Sequence, residues 1–169
     1  MLARVQLREI CREDIERINR WRNDREVIDL LGNNFLFIGS DVDEQWFQHY
    51  LRHRDTHVRL AILDCANQEH IGNVQLTNIH PINRSAEFSI VIGEKTYWSK
   101  GFGSEATRQM IEHGFRDRNL HRIYLTVLES NVRAIETYKK AGFAYEGTLK
   151  DAVFKNNAYH NLVSMAIVR

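Results

Sequence analysis

The first third of the chain changes from an alternating to a helical spacing of apolar residues. Apolar and polar residues alternate at 5–7, which predicts a strand. Between residues 15 and 31 the apolar positions recur every three or four residues with one interruption, which predicts a broken helical stretch. A further helix is predicted over about 43–52, with Asp41 or Asp43 as its N-cap.

Three apolar runs typical of strands follow in the middle of the chain, at residues 58–63, 71–79 and 86–92. Two segments rich in turn residues, 65–69 and 81–84, separate them. Because short turns join these runs, we expect them to pair as an antiparallel meander.

Helices and strands alternate in the last third of the chain. A helix is expected to begin just after Gly101, and a strand follows at 122–128. Asn131 is predicted to cap one more helix, and Gly142 is predicted to end it.

Two final strands are expected near residues 143–149 and 162–168. The order of elements predicts an α/β (α+β) fold, with one mixed, mostly antiparallel twisted sheet and helices on both faces. A single domain over residues 1–169 is expected, because the chain contains one proline, scattered glycines and no linker or repeat.

Composition and charge argue against several classes of protein. The 169 residues are 43% hydrophobic, which is enough for a folded core. The net charge of +1 favours neither a nucleic-acid partner nor an anionic membrane surface. No run approaches the roughly 18 apolar residues of a membrane span, and the chain opens on a charged segment, so a cytoplasmic protein is expected.

The residue types that bind metals do not form a site by their spacing. Cys11 and Cys65 stand alone, so neither a disulfide framework nor a thiolate zinc site is expected. His49, His53 and His57 fall four residues apart, but the helical pattern fades between the last two and charged residues interleave. A solvated face is favoured, and we expect no metal.

A glycine-rich segment, Lys-Gly-Phe-Gly-Ser at residues 100–104, opens the helix after the meander. Its backbone N–H groups and the helix dipole favour an anion such as pyrophosphate. A plain turn, in which glycine supplies a positive φ, explains the same residues. The segment also fits GxGxxA, with Glu129 after the next strand, as in dinucleotide-binding folds, but an upstream meander argues against a doubly wound sheet.

A second candidate lies along the helix that Asn131 begins. Tyr138 follows Asn131 by seven residues, or two helical turns, so one ligand lying along this helix could contact both. The same spacing also suits a buried core position for Tyr138.

Three motifs carry a likeness to a known family. They are the strand Ala86-Glu-Phe-Ser-Ile-Val-Ile, the loop Lys-Gly-Phe-Gly, and Asn131-x-x-Ala-Ile-x-x-Tyr-x-x-x-Gly-Phe ahead of Glu146-Gly147. Together they resemble the GNAT family of N-acetyltransferases, in the branch of ribosomal-protein N-terminal and spermidine N-acetyltransferases. The likeness implies a GNAT-like domain and covers most of the chain.

The resemblance implies acetyl-CoA as co-substrate. Its pantetheine arm would pair with the backbone of Ile90, Val91 and Ile92, and Asn131 would hold the end of that arm. The pyrophosphate would lie on the amides of the loop residues Trp98, Ser99, Lys100, Gly101, Phe102, Gly103 and Ser104.

The resemblance also implies two catalytic residues. Tyr138 would face the thioester sulfur as general acid, and Glu87 would bind the amine or relay its proton through water. This division is chemically reasonable, because an alkylammonium must lose a proton before it attacks and the departing thiolate must be neutralised.

The resemblance implies an acetyl-CoA-dependent N-acetyltransferase that acts on a primary amine. Direct transfer without an acyl-enzyme is expected, since neither Cys11 nor Cys65 lies in a motif. A catalytically silent CoA-binding or sensor module on the same fold is the alternative. The acceptor stays open between a small-molecule amine, an amino sugar and a peptide or protein N-terminus. Gln75 and Asn78 stand where the spermidine enzymes carry acidic residues, which weakens the case for a polyamine as the acceptor. A homodimer is compatible with the family.

Overall fold

The computed structural model describes residues 3–169; Met1 and Leu2, where the charged opening segment begins, lie outside the described residues. The strands are β1 (Val5–Glu9), β2 (Val58–Asp64), β3 (His70–His80), β4 (Ser85–Ile92), β5 (Arg122–Leu128), β6 (Ala144–Lys155) and β7 (Ala158–Val168). The helices are α1 (Ile15–Arg22), α2 (Arg25–Asp29), α3 (Ser40–Arg52), α4 (Phe102–Arg116) and α5 (Val132–Lys140), with short 3-10 turns at Arg12–Asp14 and Lys95–Tyr97. Within 3–169 no helix is long and apolar enough to cross a membrane.

The strands form one seven-stranded sheet in the order β1-β2-β3-β4-β5-β7-β6. Among the described strands β4 and β5 are the parallel pair, and the other neighbours are antiparallel. The predicted meander is therefore confirmed, and the dinucleotide-binding alternative is wrong because it needs a doubly wound parallel sheet. The β4–β5 pairing runs only from Ser85 opposite Arg122 to Glu87 opposite Tyr124, so the sheet opens beyond that point.

Helices cover both faces of the sheet, as predicted. On one face α4 buries Met110 against the sheet, and on the other face α1 and α3 bury Trp21 and Phe47. Successive residues of β2 divide between the two clusters: Ile62 belongs to the first and Ala61 to the second. This division follows from the alternation of side chains along a strand.

The start of α3 differs from the prediction. The helix begins after Gly39, so neither Asp41 nor Asp43 is its N-cap. Asp43 is instead fully buried in the first turn, where it accepts hydrogen bonds from Asn19 and Arg22. The Asp43 carboxylate, which the sequence pattern assigned to capping, therefore binds side chains of α1 instead.

The last hairpin is longer than predicted. The register of β6 against β7 shifts between Leu149 and Val153, and this irregularity breaks the two-residue pattern by which the strand would be recognised. At its end the buried Lys155 ammonium donates to the carbonyls of Ile28 and Leu31, both at 2.6 Å. These bonds anchor the hairpin to the end of α2 and help to close the space beneath it.

Candidate active site

A cavity of about 1090 Å³ lies where β4 and β5 part. Its walls include residues 88–92 of β4, residues 126–128 of β5, the first turn of α4, and α5. Parts of α1 and α2, the loop after α2 and residues 152–154 of β6 close the other side. Small-molecule and cofactor sites commonly measure roughly 300–1,000 Å³, so this cavity is large enough for a cofactor and a second small ligand.

The N-terminus of α4 reaches this cavity with no side-chain cap. Gly101 precedes the helix with a φ of 88°, a left-handed conformation that favours glycine. Gly103 has no such backbone requirement, and a Cβ added there would meet no atom nearer than Ile92 Cγ1 at 3.6 Å. The first glycine therefore serves the turn, and the second leaves space beside the free N–H groups of the first helical turn.

Side chains hold the loop before α4 in place. The Trp98 indole donates to the Ile92 carbonyl at 2.7 Å, which ties the loop to the end of β4. Arg133 of α5 donates to Ser99 Oγ at 2.8 Å, and its guanidinium lies 5.7 Å from the centre of the Trp98 ring. Trp98, Ser99, Gly101, Gly103 and Ser104 all line the cavity.

Two predicted loop residues do not line the cavity. Lys100 is exposed, and its carbonyl accepts a hydrogen bond from Arg4 at 2.9 Å. Phe102 is buried in the core, where its ring packs edge-on against Tyr97 with centroids 5.0 Å apart. The backbone amides of both remain candidates for an anion, whereas their side chains have other roles.

The edge of β4 at the opening presents backbone groups of Ile90 and Ile92. Gly93 donates its N–H to a β3 carbonyl, and hydrogen-bonded pairs alternate along an antiparallel ladder. Val91, two residues earlier, therefore directs its N–H and C=O toward β3, and only its side chain is available to the cavity. The Ile92 carbonyl accepts a hydrogen bond from the Trp98 indole, so the predicted pairing with pantetheine is best supported at Ile90 and stays a prediction for all three residues.

Asn131 caps α5, as predicted. Its Oδ1 accepts from the Ala134 amide at 3.2 Å, and its Nδ2 donates to the Leu30 carbonyl at 3.0 Å. Gly142 follows the helix with a φ of 102°, as predicted. Asn131 lines the cavity, but its amide group already joins α5 to the end of α2, so its contact with a cofactor stays a prediction.

Tyr138 belongs both to the core and to the cavity wall. Its ring is 9% exposed and packs against Phe88 and Phe143, with centroids 6.0 and 5.8 Å away. Within residues 3–169 no hydrogen bond occupies its hydroxyl group. Burial raises the pKa of this hydroxyl to about 12, so it is protonated at neutral pH and is free to donate.

Glu87 does not line the cavity. Its Oε2 accepts from Asn78 Nδ2 at 3.0 Å, and its backbone forms the last rung of the β4–β5 pairing, opposite Tyr124. Ser89, two residues further along the same face, does line the cavity. Tyr138 therefore lines the opening and Glu87 does not, and the catalytic role of Glu87 stays a prediction.

Sequence reasoning named Gln75 as an acceptor-side position but missed Arg59, Ser89 and the polar row that the three form on the α1–α3 side of the cavity. Arg59 of β2 donates to Gln75 Oε1 of β3, and Gln75 Nε2 donates to Ser89 Oγ of β4 at 2.6 Å. All three line the cavity, and the Arg59 guanidinium lies 4.9 Å from the centre of the Trp46 ring. The available signal was a single arginine inside the otherwise apolar run 58–63.

Metal-ligand residue types remain apart in the described part of the chain. Among residues 3–169 no three His, Cys, Asp or Glu side chains come close enough to hold a metal ion. α3 ends at Arg52. The His49 and His53 rings stack with centroids 4.0 Å apart, but they do not belong to a group of three such side chains among the described residues.

Comparison with known proteins places this geometry in a family. The family model described as "Acetyltransferase (GNAT) domain" matches residues 4–144. Spermidine N(1)-acetyltransferase of Escherichia coli K12 is 31% identical over 163 residues, which cover 96% of this chain and 85% of that protein.

Solved structures show the same likeness. The spermidine N-acetyltransferase of Vibrio cholerae in complex with CoA and spermine superposes with a TM-score of 0.91 at 30% identity, over 98% of this chain and 95% of that one. A dodecameric structure of the Vibrio cholerae enzyme superposes with a TM-score of 0.85 at 30% identity, over 98% and 94% of the two chains.

Proposed function

This chain belongs to the GNAT family and is an N-acetyltransferase, and we propose that its cavity transfers an acetyl group from acetyl-CoA directly to a small primary amine, with Tyr138 as general acid. The observation that carries the proposal is the meeting of two features in one cavity. The uncapped N-terminus of α4 is at one end, and the free hydroxyl of Tyr138 faces the same space. The spermidine enzymes it resembles support an amine as acceptor.

The residues along the cavity fit the chemistry of acetyl-CoA. Free N–H groups of residues 102–104, the empty space at Gly103 and the Arg133 guanidinium suit the negative charge of a pyrophosphate. The backbone edge at Ile90 suits the amides of a pantetheine arm, because its N–H and C=O face the opening. The co-substrate supplies an acetyl thioester, a carbonyl that an amine can attack.

Tyr138 has the properties of a proton donor. Its hydroxyl holds a proton at neutral pH, as an ordinary phenol does, and the packed ring fixes the direction in which the hydroxyl points. A thiolate that departs nearby would receive this proton, which is the task of a general acid. Neither Cys11 nor Cys65 lines the cavity, so we propose transfer without an acyl-enzyme.

The amine loses its proton to water in this proposal. No Asp, Glu or His side chain is among the described residues that line the cavity, and Glu87 is held by Asn78 outside it. We therefore assign Glu87 no direct contact with the reacting groups in this proposal. A homo-oligomer, as in the Vibrio cholerae relative, is proposed for this chain on likeness alone.

The test separates an enzyme from a silent CoA-binding module. Saturation with acetyl-CoA at about 100 times its dissociation constant should add about 2.7 kcal/mol to the free energy of unfolding, and NAD should add much less. Release of the CoA thiol in the presence of a primary amine should then be followed by absorbance. Stabilisation without thiol release from any amine would favour the silent module, and stabilisation by NAD alone would remove the cofactor assignment.

A further inference from the structure

The charged residues that line the cavity are all arginines. Arg22, Arg59 and Arg133 contribute to its wall, and no aspartate, glutamate or lysine among residues 3–169 does so. A site for a polycation needs carboxylates, so the lining of this cavity has the opposite sign. The three arginines differ in the partners that their guanidinium groups have.

Two of the three have evident partners. Arg22 forms an ion pair with the fully buried Asp43, which neutralises it inside the protein. Arg133 lies at the loop before α4, where it donates to Ser99 and where the pyrophosphate is proposed to bind. The charges of Arg22 and Arg133 are therefore both accounted for.

Arg59 has no such partner. Its hydrogen-bond partner Gln75 is neutral, and its Nε is buried with no hydrogen-bond partner among residues 3–169. Glu9, which lies on the adjacent strand β1, is paired with Arg54 at 2.6 Å and does not form an ion pair with Arg59. Burial lowers the pKa of the Arg59 guanidinium to about 10, so it still carries its charge at neutral pH.

The position of Arg59 relates it to the reacting end of the cavity. Arg59, Gln75 and Ser89 stand opposite one another on the adjacent strands β2, β3 and β4. Strands lie about 4.8 Å apart, so the backbone of Arg59 is about 10 Å from that of β4, where the opening begins. An arginine side chain directed along this row covers part of that distance, and the Trp46 ring beside it limits its orientation.

We propose that the acceptor is a primary amine that also carries an oxyanion, a carboxylate or a phosphate, and that Arg59 binds this oxyanion while the amine faces the β4–β5 opening. This inference rests on the proposed function and names its substrate class. A guanidinium without a counter-ion gains most from an oxyanion, because two N–H groups can donate to two oxygens. A second ammonium in the same place would be repelled, so polyamines are disfavoured.

The experiment compares amines of equal length and different charge. The four-carbon series is butylamine, 4-aminobutyrate and 1,4-diaminobutane, and the two-carbon series is ethanolamine and phosphoethanolamine, with spermidine as a further arm. We expect kcat/KM for at least one anionic amine to exceed that of its matched neutral amine at least tenfold, and diamines to be slowest. Which series shows the preference distinguishes a carboxylate from a phosphate.

Two variants and a control test the residue. Arg59→Gln should abolish the preference, since hydrogen bonds to charged groups of about 1.5–3 kcal/mol correspond to a loss of about 10- to 150-fold. Gln75→Glu keeps the size of the side chain and supplies the missing counter-ion, so it should weaken anionic amines and improve diamines. Arg52→Gln removes an exposed arginine outside the cavity and should change neither rate.

The outcomes separate this inference from the function it rests on. Spermidine or a neutral amine as the best acceptor, or an unchanged ranking in both Arg59→Gln and Gln75→Glu, would overturn the oxyanion assignment and leave acetyl transfer intact. Binding of acetyl-CoA with no acetylation of any amine would overturn the proposed function, and the assignment with it.

Discussion

Replacing Tyr138 with phenylalanine removes one oxygen atom and keeps the ring. The ring contacts with Phe88 and Phe143 stay in place, and no hydrogen bond within the described residues is lost. The free energy of unfolding should therefore change by less than about 1 kcal/mol, and the change can be favourable because a buried hydroxyl without a partner is removed. If the hydroxyl protonates the departing thiolate, kcat should fall by roughly 10²- to 10⁴-fold, or about 3–5 kcal/mol of barrier.

The assay combines three measurements on the same protein. CoA thiol release gives kcat, calorimetric titration gives the affinity for acetyl-CoA, and urea unfolding gives the stability. Tyr145→Phe is the matched control, because Tyr145 is 60% exposed and its hydroxyl contacts Thr148 outside the cavity. Full turnover by Tyr138→Phe would refute the role of general acid, and a parallel loss of turnover and cofactor affinity would make Tyr138 a binding residue instead.

Three further predictions concern other residues. Gly103→Val should lower the affinity for acetyl-CoA at least tenfold in calorimetry, because the added side chain fills the space proposed for the pyrophosphate. The melting temperature should change little, because the added Cβ meets no atom nearer than 3.6 Å. Unchanged affinity would show that this loop is only a turn. Glu87→Gln should lower kcat/KM less than about threefold, since Glu87 lies outside the cavity, and a loss beyond about 10² would show that its carboxylate reaches the amine. Burial raises the pKa of the Asp14 carboxyl, but its bonds with Arg8 and His70 outweigh burial and hold the pKa well below its usual range. The stability from this carboxylate is therefore fully present above about pH 4 and is lost only as the pH falls through the low pKa of the folded state. Asp14→Asn should cost about 3 kcal/mol at pH 7 in urea unfolding, and this cost should be about 1 kcal/mol smaller at pH 3, where the unfolded carboxyl is protonated and the folded one is still ionised. An equal cost at both pH values would contradict the linkage.

Local patterns were sufficient to predict most elements and the two ends of the active site. Gly101 and Asn131 could be assigned to the start of α4 and α5 because a left-handed turn and a side-chain cap depend on residues adjacent in the chain. Likewise, the alternating runs indicated β2, β3 and β4, since each strand shows its own two-residue period. The family resemblance then supplied acetyl-CoA and Tyr138.

Tertiary structure decided which of these residues share a cavity and what charge they present. The point at which β4 and β5 part lies between Glu87 and Ser89, so one carboxylate stays outside and the next polar residue on that face lies inside. The free charge of Arg59 is visible only once Asp43 is known to pair with Arg22 and Glu9 with Arg54. Register and ion pairing join residues distant in sequence, and a two-residue or 3.6-residue period contains no information about such partners.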